Sequence, residues 1–323
     1  MEYVRWGIIG CGEVTETKSG PVFDMVEHSQ VVAVMNSDKE KAEQYAVKHG
    51  INSWYDDVFD LLKDDAVNAV YIATPPSTHA TYAIMAMKAG KAVYVEKPMA
   101  ASYEDCCRMN RISEETGMPC FVAYYRRYLP YFLKVKSLVS EGSIGRVIGV
   151  RIDFSQPEVN LDYSAKDLPW RIQPDITGYG FFYDLVPHQI DVVQDICGCI
   201  LDAYGCNSGA KHDFDTISCC FSFENDIVGA GSWCFGADNC TDEDKVEIIG
   251  TDGKIKFSVF TFAPIKLTDK NGVREFNVDN PRFVQYPLIE SVIKHLQGKA
   301  VCECSGINAT PTSWVLDKIM NRI

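Results

Sequence analysis

A lysine and a distant aspartate–histidine pair are the residues of this sequence whose types and spacing could do chemistry. Lys97 follows the short apolar stretch 92–95, which has the pattern of a buried strand. Its ammonium group could stabilise negative charge developing on an oxygen, although the Glu-Lys-Pro sequence could equally be a solvated strand exit closed by proline. His188 has Asp184 one helical turn before it and could accept a proton near neutral pH. The alternative for this pair is a capping aspartate beside a core histidine.

A second chemical signal is a glycine-rich turn close to the start of the chain. Gly10-Cys11-Gly12 directly follows the strand candidate 4–9. In dinucleotide-binding turns the first glycine allows the bend, the second admits the pyrophosphate, and a third small residue lets helix and strand pack closely. Thr15 stands at the third position, so the pattern is imperfect. The turn nevertheless predicts a dinucleotide site.

The end of the second strand candidate bears on which dinucleotide would bind. A carboxylate there would bind the ribose 2′-hydroxyl of NAD, but the chain has Asn36 and Ser37 and no carboxylate before Asp38. Asn36 and Ser37 could hydrogen-bond a 2′-phosphate, and Lys39 or Lys41 could neutralise it. We therefore expect NADP or NAD, with a preference for NADP; the alternative is that these are only turn residues.

Alternating strand and helix patterns position these groups in the first part of the chain. Helix patterns with glycine at their ends lie between apolar strand candidates, and this alternation is typical of βαβ units in a doubly wound parallel sheet. The strand candidates are 4–9, 30–36, 66–76, 91–98 and 119–125, and the helix candidates are 38–50, 78–90 and 102–117.

Beyond residue 145 the pattern changes to short strands separated by turn signals, which indicates a mainly antiparallel sheet. The strand candidates are 146–154, 215–223, 227–235, 245–251, 253–260, 264–269 and 274–278, and helix candidates occupy 184–198 and 285–298. We predict an α/β protein with a Rossmann domain over 1–123 and an α+β domain with an open sheet over 124–323.

Composition excludes several classes of partner. The chain has 323 residues and a formal charge of −13, which argues against nucleic acid or an anionic membrane as a partner. No apolar run approaches the roughly 20 residues of a spanning helix, and the N-terminal stretch lacks the pattern of a signal peptide. The 13 cysteines include no C-x-x-C pair, so we expect reduced thiols, no metal site and a cytoplasmic protein.

The ordered set of motifs resembles the family of glucose–fructose oxidoreductase, inositol dehydrogenase and rhizopine catabolism, written Gfo/Idh/MocA. The motifs are Gly10-Cys11-Gly12, Ala73-Thr74-Pro75, Glu96-Lys97-Pro98, the stretch 178–191, and the stretches 124–130, 142–150 and 305–319. The resemblance implies an NAD(P)-dependent oxidoreductase that transfers a hydride between nicotinamide and a hydroxyl or carbonyl group of a sugar, sugar derivative or cyclitol.

The resemblance also implies roles for individual residues. Lys97 would hydrogen-bond the reacting oxygen and order the nicotinamide, His188 would be the acid/base, and Asp184 would bind or orient the substrate. The residues expected at the cofactor are Gly10, Cys11, Gly12, Glu13, Val14, Asn36, Ser37, Thr74, Pro75, His79, Glu96 and Lys97, and those expected at the substrate are Tyr125, Arg127, Trp170, Tyr179 and Tyr183.

The sequence departs from the family pattern around the histidine. Tyr179 interrupts a glycine run, Phe181-Phe182-Tyr183 could form an apolar floor for a sugar or could simply pack, and Pro187 predicts a helix that begins near Asp184 or kinks there. Two other functions stay open: an NAD-dependent glycosidase that uses transient oxidation of the sugar, and a non-catalytic NADP-sensing module. An open sheet also predicts a homodimer or homotetramer formed through the C-terminal domain.

Overall fold

The computed structural model describes residues 1–157, 180–208, 216–238 and 241–323. The chain divides into two compact units, of which the first comprises 1–125 with 281–310 and the second 126–280 with 311–323. This division differs from the predicted boundary after residue 123, because the segment 281–310 returns to the first unit. There its helix Tyr286–Leu296 buries Leu288, Ile289, Val292 and Ile293.

The first unit is built on a six-stranded, wholly parallel sheet with the order β3-β2-β1-β4-β5-β6. The order reverses at β1, the arrangement of a doubly wound sheet, so the predicted Rossmann architecture is confirmed. The strands are β1 Val4–Ile9, β2 Ser29–Met35, β3 Ser53–Tyr55, β4 Ala69–Ile72, β5 Ala92–Val95 and β6 Cys120–Val122.

Helices connect these strands and bury them. All residues of β4 and β5 are buried, as expected for strands covered on both faces. The helices of this part are α1 Glu13–Thr17, α2 Gly20–Phe23, α3 Lys39–His49, α4 Val58–Lys63, α5 Pro76–Lys88 and α6 Tyr103–Thr116. Local signals set their ends: the Ser102 hydroxyl accepts from the Asp105 amide at the start of α6, and Gly117 ends it with a left-handed φ of 68°.

The second unit contains an eight-stranded sheet with the order β14-β13-β12-β11-β7-β10-β9-β8. Every neighbouring pair is antiparallel except β7 and β10, which confirms the mainly antiparallel prediction. The strands are β7 Val147–Pro157, β8 Ile200–Ser208, β9 Thr216–Phe223, β10 Val228–Ala237, β11 Glu243–Gly250, β12 Gly253–Phe257, β13 Ile265–Asp269 and β14 Gly272–Phe276.

Burial alternates along the strands at the centre of this sheet. On β10, Trp233 is buried whereas Ala230 is exposed, and on β9 Phe221 is buried beside exposed Cys220. One face of the sheet therefore forms the core and the other faces outward. The remaining helices among the described residues are α7 Pro130–Ser140, α8 Gly180–Cys197, α9 Tyr286–Leu296 and α10 Gly306–Ile319, with a 3-10 helix at Tyr125–Tyr128.

Two general properties follow for the described part of the chain. None of its helices is both long and apolar enough to cross a lipid bilayer. Its cysteines are free thiols, and burial raises the pKa of several of them, including Cys120 and Cys197, to about 12.

Candidate active site

The glycine turn of the first unit has the shape that a dinucleotide requires. Gly10 has φ +100°, its amide donates to the Met35 carbonyl at 2.9 Å, and a Cβ there would lie 2.9 Å from backbone atoms of Ala73. A Cβ on Gly12 would meet nothing within 4 Å, so this side of the turn is open to an incoming group. Glu13 is exposed and Val14 half-buried at the start of α1. These residues fit a pyrophosphate.

The imperfect third position of the fingerprint has a structural explanation. Thr15 is buried, and its hydroxyl donates to the Gly12 carbonyl at 2.7 Å. A Cβ on Gly20 would lie 2.0 Å from the Thr15 carbonyl oxygen, so the start of α2 approaches the backbone of α1 too closely for a larger residue at position 20. Cys11 turns its thiol to the Met35 carbonyl at 3.8 Å, and burial raises the pKa of this thiol to about 12. Cys11 therefore contributes a neutral side chain to the turn.

The polar residues after β2 are largely engaged with one another. The Asn36 side chain accepts from the Asp38 amide at 2.9 Å, and Asp38 caps α3 by accepting from the Lys41 amide. Lys41 also pairs with Asp38, at 3.3 Å, and the Lys39 ammonium lies 5.7 Å from the Trp54 ring centre. Asp38, the first carboxylate after β2, is therefore occupied in capping α3.

His79 has a different role from the cofactor contact that its position after Thr74-Pro75 predicted. It is fully buried, with Nδ1 2.9 Å from the Pro98 carbonyl and Nε2 2.7 Å from the Thr74 carbonyl. It thus bridges the loops that follow β4 and β5. Burial has the largest effect and lowers the pKa of His79 below its ordinary value, although the two carbonyl oxygens and the Glu96 carboxylate act in the opposite direction. Because carbonyl oxygens only accept, both contacts are hydrogen bonds only when the imidazole carries two protons.

The Glu-Lys-Pro turn directly follows β5 at the carboxyl edge of the parallel sheet. Lys97 is half-buried there, and the peptide bond between Lys97 and Pro98 is cis. Glu96 was predicted at the cofactor, but its carboxylate points inward and accepts from the Tyr71 hydroxyl and the Gln285 amide, each at 2.7 Å. We therefore assign Glu96 no direct cofactor contact. Sequence reasoning missed Gln285, since nothing local connects it with this turn.

The aspartate–histidine pair of the second unit lies on α8. The helix spans Gly180–Cys197 and contains Pro187, so the predicted start near Asp184 is wrong, whereas the alternative, a kink there, stays a prediction. Asp184 is half-buried and His188 is 5% exposed. Because both residues are helical and four positions apart, they share one side of α8.

A loop after β12 borders His188 and was not predicted from the sequence. The Phe260 ring lies 6.1 Å from the imidazole at an interplanar angle of 77°, and 4.9 Å from the Arg126 guanidinium. The Asp244 carboxylate holds this loop by accepting from the backbone amides of Val259, Phe260 and Thr261 at 2.7 to 3.1 Å. A pairing between residues so far apart in sequence leaves no local signal.

The predicted substrate residues have mixed outcomes. Tyr125 is half-buried in the 3-10 helix, whereas Trp170 and Tyr179 lie outside the described residues. Arg127 binds Asp191 through two hydrogen bonds, and both side chains are almost fully buried. The structure therefore places Arg127 in a buried ion pair, and its contact with a substrate stays a prediction.

Tyr183 and its aromatic neighbours also belong mainly to the core. Tyr183 is 2% exposed and its hydroxyl donates to Asp317 at 2.7 Å, so its side chain is engaged in the core and its contact with a substrate stays a prediction. Phe182 packs at right angles to Trp233, with ring centres 5.7 Å apart. Phe181 alone of the three aromatic residues is half-buried, and it stacks on Phe235. The aromatic run is therefore packing, apart from Phe181.

Comparison with known proteins agrees with this architecture. Residues 4–124 match the oxidoreductase family with an NAD-binding Rossmann fold, and residues 132–256 match the GFO/IDH/MocA C-terminal domain. Oxidoreductase P35 of Formosa agariphila is 36% identical over 97% of this chain and 97% of its own length. The chain belongs to the Gfo/Idh/MocA family. It is accordingly an NAD(P)-dependent oxidoreductase by family.

Two further Gfo/Idh/MocA relatives extend the comparison. The scyllo-inositol 2-dehydrogenase (NAD(+)) of Bacillus subtilis is 26% identical over 99% of this chain and 92% of its own. A levoglucosan dehydrogenase, solved in complex with NADH and levoglucosan, superposes with a TM-score of 0.85 at 22% identity, covering 99% of this chain and 96% of its own. At that identity the likeness shows the fold. Among the described residues of this family member, no group of three or more His, Cys, Asp or Glu could hold a metal ion.

Proposed function

We propose that this protein transfers a hydride between a nicotinamide dinucleotide and a hydroxyl or carbonyl group of a sugar, sugar derivative or cyclitol. The observation that carries the proposal is the open turn at Gly12, beside a Gly10 that no other residue could replace without strain. A dinucleotide explains why this turn is kept open. The substrate class is supported by the scyllo-inositol 2-dehydrogenase relative and by a D-xylose 1-dehydrogenase [NADP(+)] of Haloarcula marismortui, 27% identical over 78% of this chain.

Different residues of the chain would bind the cofactor, hold the substrate oxygen and accept the proton. When bound, NAD(P) takes the hydride from the substrate carbon or returns it. Gly10 and Gly12 would hold the pyrophosphate, and Thr74 and Pro75 would hold the nicotinamide end of the cofactor. Lys97 holds the substrate oxygen and stabilises negative charge on it. In oxidation, His188 accepts the hydroxyl proton on its imidazole while the C–H electron pair leaves as hydride, and Asp184 orients the substrate.

The cofactor preference is a separate part of the proposal. Asn36 and Ser37 occupy the positions after β2, and the capping Asp38 pairs with Lys41. No carboxylate other than Asp38 stands there to bind a ribose 2′-hydroxyl or to repel a 2′-phosphate. We retain the preference for NADP over NAD on this basis. Titration of each cofactor against the intrinsic tryptophan fluorescence gives the two dissociation constants, and a clear NAD preference would overturn this part alone.

The decisive experiment follows absorbance at the nicotinamide band with a panel of sugars, sugar derivatives and cyclitols. Net reduction of NAD(P)⁺ by an alcohol, or oxidation of NAD(P)H by a carbonyl compound, is the expected result. Release of sugar from a glycoside without net redox change would instead favour the glycosidase function. Saturable cofactor binding with no reaction of either kind would favour a sensing module, and no binding at millimolar cofactor would remove the oxidoreductase function.

Self-association through the second sheet also belongs to the proposal. Its outward face carries small side chains such as Ala230 and Cys220, beside exposed Tyr204 and Val228, around a depression of about 650 Å³. A face of this kind suits burial against a second copy of the same sheet, giving a homodimer or homotetramer. A cytoplasmic location stays a prediction from the sequence.

A further inference from the structure

The Glu96 carboxylate is the centre of a buried hydrogen-bond network in the first unit. Its Oε1 accepts from the Tyr71 hydroxyl and from Gln285 Nε2, each at 2.7 Å, and its Oε2 accepts from the Lys97 backbone amide at 3.2 Å. Glu96 is 9% exposed, Tyr71 is fully buried and Gln285 is 1% exposed. A buried carboxylate is stable only when its oxygens accept hydrogen bonds, so loss of any one donor costs free energy.

The chemistry of the partners fixes the orientation of each group. An ionised carboxylate only accepts, so Gln285 must present its NH₂ group to Glu96. Its carbonyl oxygen then accepts from the Tyr94 hydroxyl at 3.0 Å. Tyr71 donates its single hydroxyl hydrogen bond to the carboxylate, and its oxygen lies 2.8 Å from Ser19 Oγ. Tyr71 and Gln285 therefore bind the carboxylate directly, and Ser19 and Tyr94 contact these two side chains in turn.

This carboxylate in turn holds the peptide that carries Lys97. The Glu96 amide donates to the Ile72 carbonyl at 2.9 Å, which continues the sheet, and the next amide along the chain donates to the Glu96 side chain. The first bond anchors Glu96 on the sheet, and the second acts on the peptide between Glu96 and Lys97, whose N–H it uses. The carboxylate therefore restrains the plane of that peptide and the direction in which the lysine leaves the strand. A carboxylate that moved would release the second bond.

We propose that Tyr71, Glu96 and Gln285 are positioning residues for Lys97, and that the segment 281–310 returns to the first unit partly to supply Gln285. The inference rests on the proposed function, in which Lys97 touches the substrate oxygen. It also gives a chemical reason for an amide at position 285. A neutral amide donates a hydrogen bond to the buried carboxylate and brings no second charge into the core.

Gln285→Leu removes the amide donor and puts an apolar side chain of similar size in its place. We expect kcat to fall by roughly 10²-fold, because small displacements of a reacting group have effects of that size. The dissociation constant of NAD(P)H should change little. Gln297→Leu is the matched control: this glutamine lies at the other end of α9, and its amide donates to the exposed Glu2 carbonyl at 3.1 Å. The control should keep the wild-type kcat.

Gln285→Glu supplies a test with a distinctive pH dependence. Two carboxyl groups at this distance share a proton, so the new acid can donate to Glu96 at low pH and repels it once both ionise. We expect its kcat to approach the wild-type value at low pH and to fall as pH rises, opposite to the base-dependent rise of wild-type oxidation. Gln297→Glu should follow the wild-type profile.

A readout without catalysis separates this inference from the proposed function. The rate at which acetic anhydride acetylates Lys97, relative to exposed Lys63, can be followed by peptide mass spectrometry on the cofactor-free protein. In folded Gln285→Leu the relative rate should change by about threefold or more, because the displaced ammonium group differs in position and exposure. An unchanged rate would overturn the inference even if wild type proves inactive with every substrate. In an active enzyme, a wild-type kcat and pH profile in both Gln285 variants would also overturn it.

Discussion

Replacing Arg127 with methionine should destabilise the second unit strongly. The guanidinium donates from Nε to Asp191 Oδ2 at 2.9 Å and from Nη2 to Oδ1 at 2.5 Å, and the two side chains are 9% and 1% exposed. Removing one partner leaves a buried carboxylate whose remaining contact here is the Thr312 hydroxyl at 3.4 Å. Losing one member of a buried pair costs about 3–5 kcal/mol in the free energy of unfolding. Methionine keeps most of the apolar volume, so lost packing adds little.

The loss should depend on pH with a defined sign. Burial raises the pKa of Asp191 and the Arg127 guanidinium opposes that rise, so the pKa should rise further in Arg127→Met. A carboxyl group with a higher pKa in the folded than in the unfolded state binds its proton more tightly when folded. Its contribution to stability is therefore lost as pH rises through the folded pKa. The deficit against wild type should be smallest near about pH 4, the ordinary range of aspartate, and grow toward neutrality.

Urea unfolding followed by circular dichroism between acid and neutral pH measures this deficit. Adding Asp191→Asn to Arg127→Met should recover much of the stability at neutral pH, since it removes the stranded charge. Arg108→Met is the control, because Arg108 pairs with Asp105 on the exposed side of α6 and should cost only about 0–1 kcal/mol. A small, pH-independent loss in Arg127→Met, accompanied by a raised KM, would refute the reasoning and return Arg127 to the substrate site.

Three further predictions concern the site and the assembly. Gly10→Ala should weaken NAD(P)H binding in the fluorescence titration, since φ +100° costs an alanine about 1–3 kcal/mol and its Cβ would clash with Ala73; unchanged affinity would contradict the open-turn argument. His188→Ala should lower the oxidation rate by roughly 10²–10⁴-fold and remove its rise with pH, with cofactor affinity preserved; a mutant that keeps the rise would make His188 structural. Light scattering at micromolar concentration should give a multiple of the chain mass, reduced by Ala230→Glu on the outward sheet face, and a wild-type monomer would dispose of that interface.

Local patterns predicted the elements of the first unit because their signals are short-range. Ser102 and Gly117 mark the ends of α6, and both act at those ends in the structure. The apolar runs at β4 and β5 reflect strands buried on both faces. Short elements such as α2 and β3 were missed, since a few residues carry too little periodicity. Of the two alternatives for α8, the start near Asp184 was wrong, because Pro187 lies inside a helix that already includes Gly180.

The sequence by itself determined the fold class, the family and the residues that could do chemistry, because the glycine turn and the Glu-Lys-Pro and Asp-x-x-x-His motifs are local. Only the tertiary structure decided which candidate side chains turn inward. Glu96 binds Tyr71 and Gln285, which are distant from it in sequence but meet it at the edge of the sheet. His79 bridges two loops, because the Pro98 carbonyl after the next strand lies beside its imidazole. A buried polar group must find a partner, but nothing in its own neighbourhood says which residue that partner will be.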